Sequence, residues 1–549
     1  METKKKPLKK VDDESAQKRE IVEAYVLIVR QEHMFPTRGD LAAMGVSRDK
    51  IRHHFVNLSG LRKAAKAMFP ESFQGIIQED DFIAPKARAK LAKEIKKTKT
   101  FIVTTAVNGQ WAHSKFIEGL DALAKRYDAR LLMLPCHDPA HNLDNEIEWH
   151  FDDKLQNHTF VFDELRLNSN LYIGQMGVNA KQINPTTGLS RICQGKGSFI
   201  FASPKQSLEY DPVSNVKFPH ARMTTGTCTV GNYNTTRGNS IRSAKIAAHD
   251  HVIGALIIEV EDDSIYHFRQ IQADDKGGFC DLGQYYLGHN VPKKVIPKLV
   301  MGDYHAGEHD DTAVSAWEEI IDVLGVDEVF FHDLFNGKSI NHHEEHNIVL
   351  RARHAKVGLL SLKSELLVTG QQVDRILNHK SIKKGIVVKS NHDDFLQRWL
   401  NEGKFKHDPI NFSIGCALAA DAVETNIDTL KNAIDKYGNV KNWKKLIFLK
   451  RNEDYKIAGI ELGAHGDKGP SGSRGSKANL ENAYGKAVIA HSHTPGILRG
   501  VFQVGTTSLF DLGYNQTASS WMHCSCLVYE NGSRQLINSI GGKWRLNRK

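Results

Sequence analysis

The segment Leu299-Val300-Met301-Gly302-Asp303-Tyr304-His305 opens a pattern that the chain repeats five times. Each time a short apolar run is followed, at once or within two residues, by Asp, Asn or His. Val329-Phe330-Phe331 precedes His332-Asp333-Leu334-Phe335-Asn336-Gly337, and Ile386-Val387-Val388 precedes, past Lys389, Ser390-Asn391-His392-Asp393. Ile457-Ala458-Gly459-Ile460-Glu461-Leu462 precedes Gly463-Ala464-His465-Gly466-Asp467, and Ala487-Val488-Ile489-Ala490 precedes His491-Ser492-His493. Apolar runs of this length predict strands, and ligand-type residues at the C-terminal ends of consecutive strands are where open α/β sheets place their sites. Oxygen and nitrogen donors without a thiolate suit Mn²⁺, Fe or Zn²⁺ rather than a soft metal. One carboxylate can bridge two such ions, and a pair ~3.5–4 Å apart clamps the attacking and leaving oxygens of a phosphoryl displacement.

In this order the five sets resemble the motifs of the calcineurin-like metallophosphoesterase superfamily. Asp303/His305, Asp333/Asn336, Asn391/His392/Asp393, His465 and His491/His493 stand at the motif positions. The resemblance covers about residues 295–515 and implies a β-sandwich flanked by helices. It implies one ion held by Asp303, His305, Asp333 and His493, and a second held by Asp333, Asn391, His465 and His491. Two divalent cations, Mn²⁺ foremost, are the implied cofactors. His392 would stabilise the transition state or protonate the leaving oxygen, with Asp393 and Asn336 beside it in the catalytic set. The family glycine before the second, third and fifth sets is replaced by His332, Ser390 and Ala490, which leaves the ligands intact and alters their loops.

Outward from this core, the 549 residues are 40% apolar and 25% charged, the composition of a globular chain of about three domains. Apolar runs such as 252–258 fall far short of the ~18–20 residues that cross a bilayer, so no membrane is expected. Met1 to Lys10 carries five lysines but no apolar stretch follows, so a secretory signal is not expected. Seven scattered cysteines predict a reducing, cytoplasmic setting, and Cys524 and Cys526 read as neighbours on one face of a strand.

Residues 1–100 hold 22 Lys+Arg against 14 Asp+Glu, a net +8 of the chain's +9. Residues 1–15 read as a Lys-rich arm and Gln17 to Arg30 as a helix. Thr37-x-x-Asp40 starts a short helix ending at Gly45, and Ser47 caps a third that holds Arg48, Lys50 and Arg52. Helix, short helix, glycine turn and basic helix resemble a helix-turn-helix, which would carry those three cations toward DNA; a protein-docking bundle is the plainer alternative. The expected division is a helix-turn-helix-like domain at 1–70, a basic linker at 71–99, a mixed α/β domain at 100–294 and the catalytic domain at 295–549. Within 100–294, Phe101–Thr105, 112–126 and Arg130–Leu134 predict a βαβ unit, followed by short strands over 199–281; no internal repeat is evident. His137 and His141 could pair on a metal but fit a satisfied loop better, and His342-His343-Glu344-Glu345-His346 could bind a further metal but fits a solvated helix face better.

The superfamily includes phosphatases, nucleotide phosphodiesterases and DNA nucleases. The basic N-terminal module favours DNA, since it would hold a polyanion near the metal pair. Lys468 and Arg474, in the Gly/Ser-rich loop after His465, could grip the same backbone. The whole layout resembles the pre-early host-DNA-degrading proteins of T-odd tailed phages, which implies double-stranded DNA as substrate and the cytoplasm of an infected bacterium as setting. The reading is a metal-dependent DNase that could form a homo-oligomer. The alternatives are a metallophosphatase acting on proteins or small phosphoesters and a non-catalytic DNA-binding protein.

Overall fold

Alternation along the strands decides how the C-terminal half is layered. In Glu328–Phe331, Phe330 enters one core while Val329 and Phe331 enter another, the period-two sorting of a strand buried on both faces. Lys298–Val300, Glu328–Phe331, Lys384–Val387 and Leu446–Phe448 pair in parallel in that order. His523–Val528 and Arg534–Ser539 continue the sheet antiparallel beyond Lys298–Val300. Helices Asp311–Leu324 and Leu362–Leu377 cover its outer face with Val314, Trp317, Ile321, Val373 and Ile376. Cys524 and Cys526 both point inward, as their spacing predicts.

The computed structural model describes residues 9–546 apart from 33, 79–90, 92, 140, 141, 144, 145, 148, 215–217, 234, 236–240 and 514. It is a mixed α/β protein in which a ten-stranded sheet packs against two smaller ones. The ten strands run Lys456–Ile457, Ile460–Glu461, Ala487–Ile489, Val501–Gln503, Gly496–Leu498, Ser207–Asp211, His220–Thr224, Ser198–Phe201, Leu171–Gly174 and Leu165–Asn168. Five come from each side of residue 294, so one sheet runs through the boundary expected there. Facing its second half is a five-stranded sheet of Tyr266–Gln272, Gly254–Val260, Thr100–Val107, Arg130–Cys136 and Thr159–Phe160. A single apolar cluster fills the interlayer, from Val103, Leu132, Ile200 and Leu208 to Phe330, Ile386, Val488 and Phe502. Thr100–Val107, helix Ser114–Tyr127 and Arg130–Cys136 make the expected βαβ unit, its strands parallel.

The N-terminal helices Lys9–Glu32, Arg38–Ala43, Arg48–Phe55 and Leu58–Met68 bury a core of their own around Val22, Tyr25, Leu41, Ile51, Phe55 and Leu61. Thr37 and Asp40 form the reciprocal cap, with Asp40 Oδ2 accepting from the Thr37 amide at 2.8 Å. Strand Ile76–Gln78 pairs with His150–Asp152 and fastens the helices to the middle region.

Two local expectations change. Helix begins at Lys9, inside the stretch read as an arm, because Ile21, Val22, Tyr25, Val26 and Val29 give it a face to bury; residues 1–8 lie outside the described set, as do 79–90 and 92 of the basic linker and His141. Residues 342–346 form a turn rather than a helix face: Asn341 Oδ1 accepts from the His343 amide at 3.0 Å, and the helix starts only at Ile348, capped by Asn347. The Gly466–Ser476 stretch folds back on itself, Gly469 N to Ser473 O 2.7 Å and Gly475 N to Asp467 O 2.9 Å. Among the described residues no helix is long and apolar enough to cross a membrane.

Candidate metal centre

The five ligand-bearing segments leave two facing sheets rather than one. Asp303/His305, His332/Asp333 and Asn391/His392 follow strands of the six-stranded sheet, while His465 and His491/His493 follow Ile460–Glu461 and Ala487–Ile489 of the ten-stranded sheet. All five strands end at the mouth of the sandwich, and their turns are tight. His305, Asp333, His491 and His493 adopt φ values of +48°, +42°, +76° and +59°. Left-handed backbone is unfavourable for such residues by roughly 1–2 kcal/mol each, and it persists where surrounding structure over-determines it. Here Tyr304 N and His305 N bond the carbonyls of His332 and Asp333 at 2.9 and 2.8 Å, locking the two turns together.

The side chains converge on Asp333. Donor atoms of Asp303, His305, Asp333 and His493 lie within 4.8 Å of one another, as do those of Asp333, His465 and His491. His305 Nε2 stands 3.1 Å from His493 Nε2, and His493 Nε2 3.1 Å from Asp303 Oδ2. His465 Nε2 lies 3.4 Å from Asp333 Oδ2 and 3.2 Å from Asn391 Oδ1, which draws Asn391 into the second cluster. Asp303 and Asp333 are buried, yet neither Asp303 oxygen nor Asp333 Oδ1 accepts a hydrogen bond, and His491 Nδ1 and His493 Nδ1 also have no hydrogen-bond partner. Buried carboxylate oxygens without donors are costly unless a cation sits against them, so this donor set fits divalent ions with N/O preference.

The electrostatics agree. Burial pushes the Asp333 carboxyl up, but His465, His392 and His305 outweigh it and hold the group well below the usual carboxylate range. Burial, then His392, presses His305 down to about 3, and burial, then His465, does the same to His332. His465 moves the other way, to about 9, because Asp333, Asp303 and Asp467 overcome the burial that lowers it.

His392 sits beside the cluster, its ring 4.6 Å from that of His305 and stacked on Phe395. Its Nδ1 lies 2.7 Å from the backbone oxygen of Asn336. A carbonyl only accepts, so Nδ1 carries the proton and Nε2 is the free nitrogen. Asn336 thus meets His392 through its main chain, a contact no side-chain motif could disclose. Asp393 and Ser390 bond reciprocally, Ser390 N to Asp393 Oδ2 3.0 Å and Asp393 N to Ser390 Oγ 3.2 Å, which closes the turn presenting Asn391 and His392. Burial raises the Asp393 carboxyl to about 7.

Trp521 and Arg451 enter only here. Buried His332 places Nδ1 3.2 Å from His465 Nδ1. The Trp521 ring lies 4.1 Å from that of His493. Arg451 spans Asp467 and Asp394, 2.7 Å to each, at the base of the loop after His465. Lys468, exposed on that loop, lies 3.6 Å from Asp394, and Arg474 is exposed across the hairpin from it. Arg48, Lys50 and Arg52 are exposed on helix Arg48–Phe55 in the separate N-terminal core.

No family model matches the chain. The chain is similar to Protein A1 of Escherichia phage T5, 29% identical over 484 residues that cover 82% of this chain and 84% of that protein. Among solved structures, Vps29 of Chaetomium thermophilum aligns over 32% of this chain and 92% of its own, at 10% identity and a TM-score of 0.19, too slight a likeness to bear on fold or site.

Proposed function

We propose that this chain is a metal-dependent DNase that hydrolyses phosphodiester bonds of double-stranded DNA at a two-cation centre. The observation that carries this reading is Asp333, one buried carboxylate shared by two clusters of His and Asp donors in which both Asp303 oxygens and Asp333 Oδ1 accept no hydrogen bond. Asp303, His305, Asp333 and His493 would hold one cation, and Asp333, Asn391, His465 and His491 the other, with Mn²⁺ suited to both. Bound there, the pair would supply positive charge to the phosphoryl oxygens and lower the pKa of the attacking water.

The chain's own residues do the rest. The Asn336 carbonyl holds the His392 Nδ1–H, so Nε2 is the nitrogen that takes up a second proton and, from the imidazolium, passes it to the departing sugar oxygen. The Ser390–Asp393 pair fixes the turn that carries it. Lys468 and Arg474 flank the centre and would meet DNA phosphates, Lys468 exchanging Asp394 for them. Arg48, Lys50 and Arg52 would add phosphate contacts from the N-terminal module, acting as a helix-turn-helix. The order of the ligand sets supports a metallophosphoesterase sandwich for residues 295–549. Similarity to a phage protein over most of both chains supports a phage-encoded enzyme acting in the cytoplasm of an infected bacterium.

The test is incubation with linear and circular duplex DNA in Mn²⁺, Mg²⁺ or chelator. Cleavage with Mn²⁺ that chelator abolishes is expected. Intact DNA under every cation, with a phosphomonoester hydrolysed instead, would sink the nuclease reading.

A further inference from the structure

Two stretches of this chain trace one path. Strands at 534–539, 523–528, 298–300, 328–331 and 384–387 lie side by side in the sense antiparallel, antiparallel, parallel, parallel. Strands at 266–272, 254–260, 100–107, 130–136 and 159–160 have the same order and the same senses. In the ten-stranded sheet, 456–457, 460–461, 487–489, 501–503 and 496–498 run antiparallel, parallel, parallel, antiparallel. So do 165–168, 171–174, 198–201, 220–224 and 207–211. The order of the strands along the chain matches as well.

The match extends to single hydrogen bonds. Asp303 N bonds Gly505 O at 3.2 Å, and Asp303 O accepts from Thr507 N at 2.8 Å and Thr506 Oγ1 at 3.0 Å. Thr105 N bonds Gly226 O at 3.2 Å, and Thr105 O accepts from Cys228 N and Thr227 Oγ1, each at 2.8 Å. Gly505-Thr506-Thr507-Ser508 thus answers Gly226-Thr227-Cys228-Thr229. A Cβ on Gly505 would meet Met522 O at 2.0 Å, and one on Gly226 would meet the matched Val252 O at 3.0 Å.

Carried through these registers, the ligand positions are empty of ligands in the first stretch. Thr105 stands for Asp303. Val388 N to Phe331 O and Val161 N to Met133 O, both 2.9 Å, set Pro135 against Asp333. The pairs Ile457–Ile460 and Asn168–Leu171 set Met176 against His465. The segment between Ala202 and Gln206 is one residue shorter than its counterpart and has no histidine. Only Glu164, exposed, falls on a ligand position, that of Asn391.

The two stretches also meet through counterpart residues. Leu208 pairs with Ile497 across Ser207–Asp211 and Gly496–Leu498, and Leu208 and Ile497 are themselves a matched pair. At the other seam Leu536 N bonds Gln270 Oε1 at 3.0 Å, again a matched pair. Contact of a residue with its own equivalent is the mark of a two-fold axis.

We infer that residues 100–272 are a second copy of the fold that bears the metal centre, stripped of ligands and retained as an internal partner that clamps the edge strand beside His491 and His493. Gly496–Leu498 begins three residues after His493, and without Ser207–Asp211 it would be a free edge. The clamp's effect on cation binding rests on the two-cation reading; its effect on the edge strand does not.

The test uses the full chain, without added metal for hydrogen exchange and with Mn²⁺ for competition against a chelator. Leu208→Ala is expected to raise exchange across 490–498 at least tenfold and to weaken Mn²⁺ binding about tenfold. Leu256→Ala, an equal truncation in the opposite sheet of the same copy, should change neither. Two Mn²⁺ per chain are expected, in the wild type and in Glu164→Gln alike. Unchanged exchange in Leu208→Ala, equal loosening by Leu256→Ala, or loss of metal in Glu164→Gln overturns the inference. Should Leu208→Ala not fold, Leu498→Ala, which faces Ser207, is read the same way. A wild type that binds no Mn²⁺ defeats the metal reading alone, and exchange still decides the clamp.

Discussion

Where one half of the molecule sets Asp303 just past strand Lys298–Val300, the other sets Thr105 within strand Thr100–Val107. Both residues are buried, and both are pinned by the same three contacts to a Gly-Thr turn. Thr105 Oγ1 then finds Thr225 Oγ1 at 2.7 Å, whereas the Asp303 carboxylate faces the rings of His493 and His465. Burial and backbone register are therefore shared properties of the two halves; a buried carboxylate ringed by histidines belongs to one of them. The pairing also explains why the middle region is present in full although it carries none of the donors.

The sharpest way to break this contrast is Asp333→Asn. It should remove both cations and lower DNA hydrolysis by more than about a thousandfold, read by metal analysis and turnover together, because one carboxylate serves both clusters. Next comes His392→Gln, which should keep two cations per chain and lose roughly 10²–10⁴ in turnover; full turnover would reject its role as proton donor.

A third test addresses the seam. Asp281, between the halves, binds Arg269 Nε at 2.6 Å and accepts from Tyr127 at 2.6 Å and from Gln535 of the other half at 3.0 Å. Asp281→Asn leaves the buried Arg269 only Glu259, 3.3 Å away, and should cost ~3–5 kcal/mol in denaturant unfolding. Burial pushes the Asp281 carboxyl up, but Arg269 outweighs it and holds the group below its ordinary value. Its stabilisation is thus full above the ordinary carboxylate pKa of ~3.9 and is lost as pH falls through the lower folded value, so the variant should show a flatter acid limb. The smallest expected change comes from Arg48→Ala/Lys50→Ala/Arg52→Ala, remote from both seams. DNA affinity should fall about tenfold and its salt slope by ~2.7 units, at ~0.9 per phosphate contact, with turnover on saturating DNA unchanged.

How much of this was legible varies with what carries the information. The ligand sets could be read because each follows an apolar run, and side-chain type survives in sequence. The N-terminal helices could be read because Thr37, Asp40 and Gly45 mark their ends chemically. The duplication could not: its register lies in main-chain hydrogen bonds, and the matched positions keep burial more often than residue identity. The sharing of one sheet across residue 294 was hidden for the same reason, since Leu208 and Ile497 are simply apolar residues 289 positions apart. The grip of Asn336 on His392 passes through a carbonyl that every residue possesses.

The left-handed turns at His305, Asp333, His491 and His493 carry a last consequence. Each turn is imposed by the sheets on either side of it, so the donors are aimed before any cation arrives and arrival asks no rearrangement of the backbone. Emptying the pocket should leave like charges facing one another across a frame unable to relax. Chelated protein should therefore melt earlier than loaded protein while giving the same far-ultraviolet spectrum at room temperature.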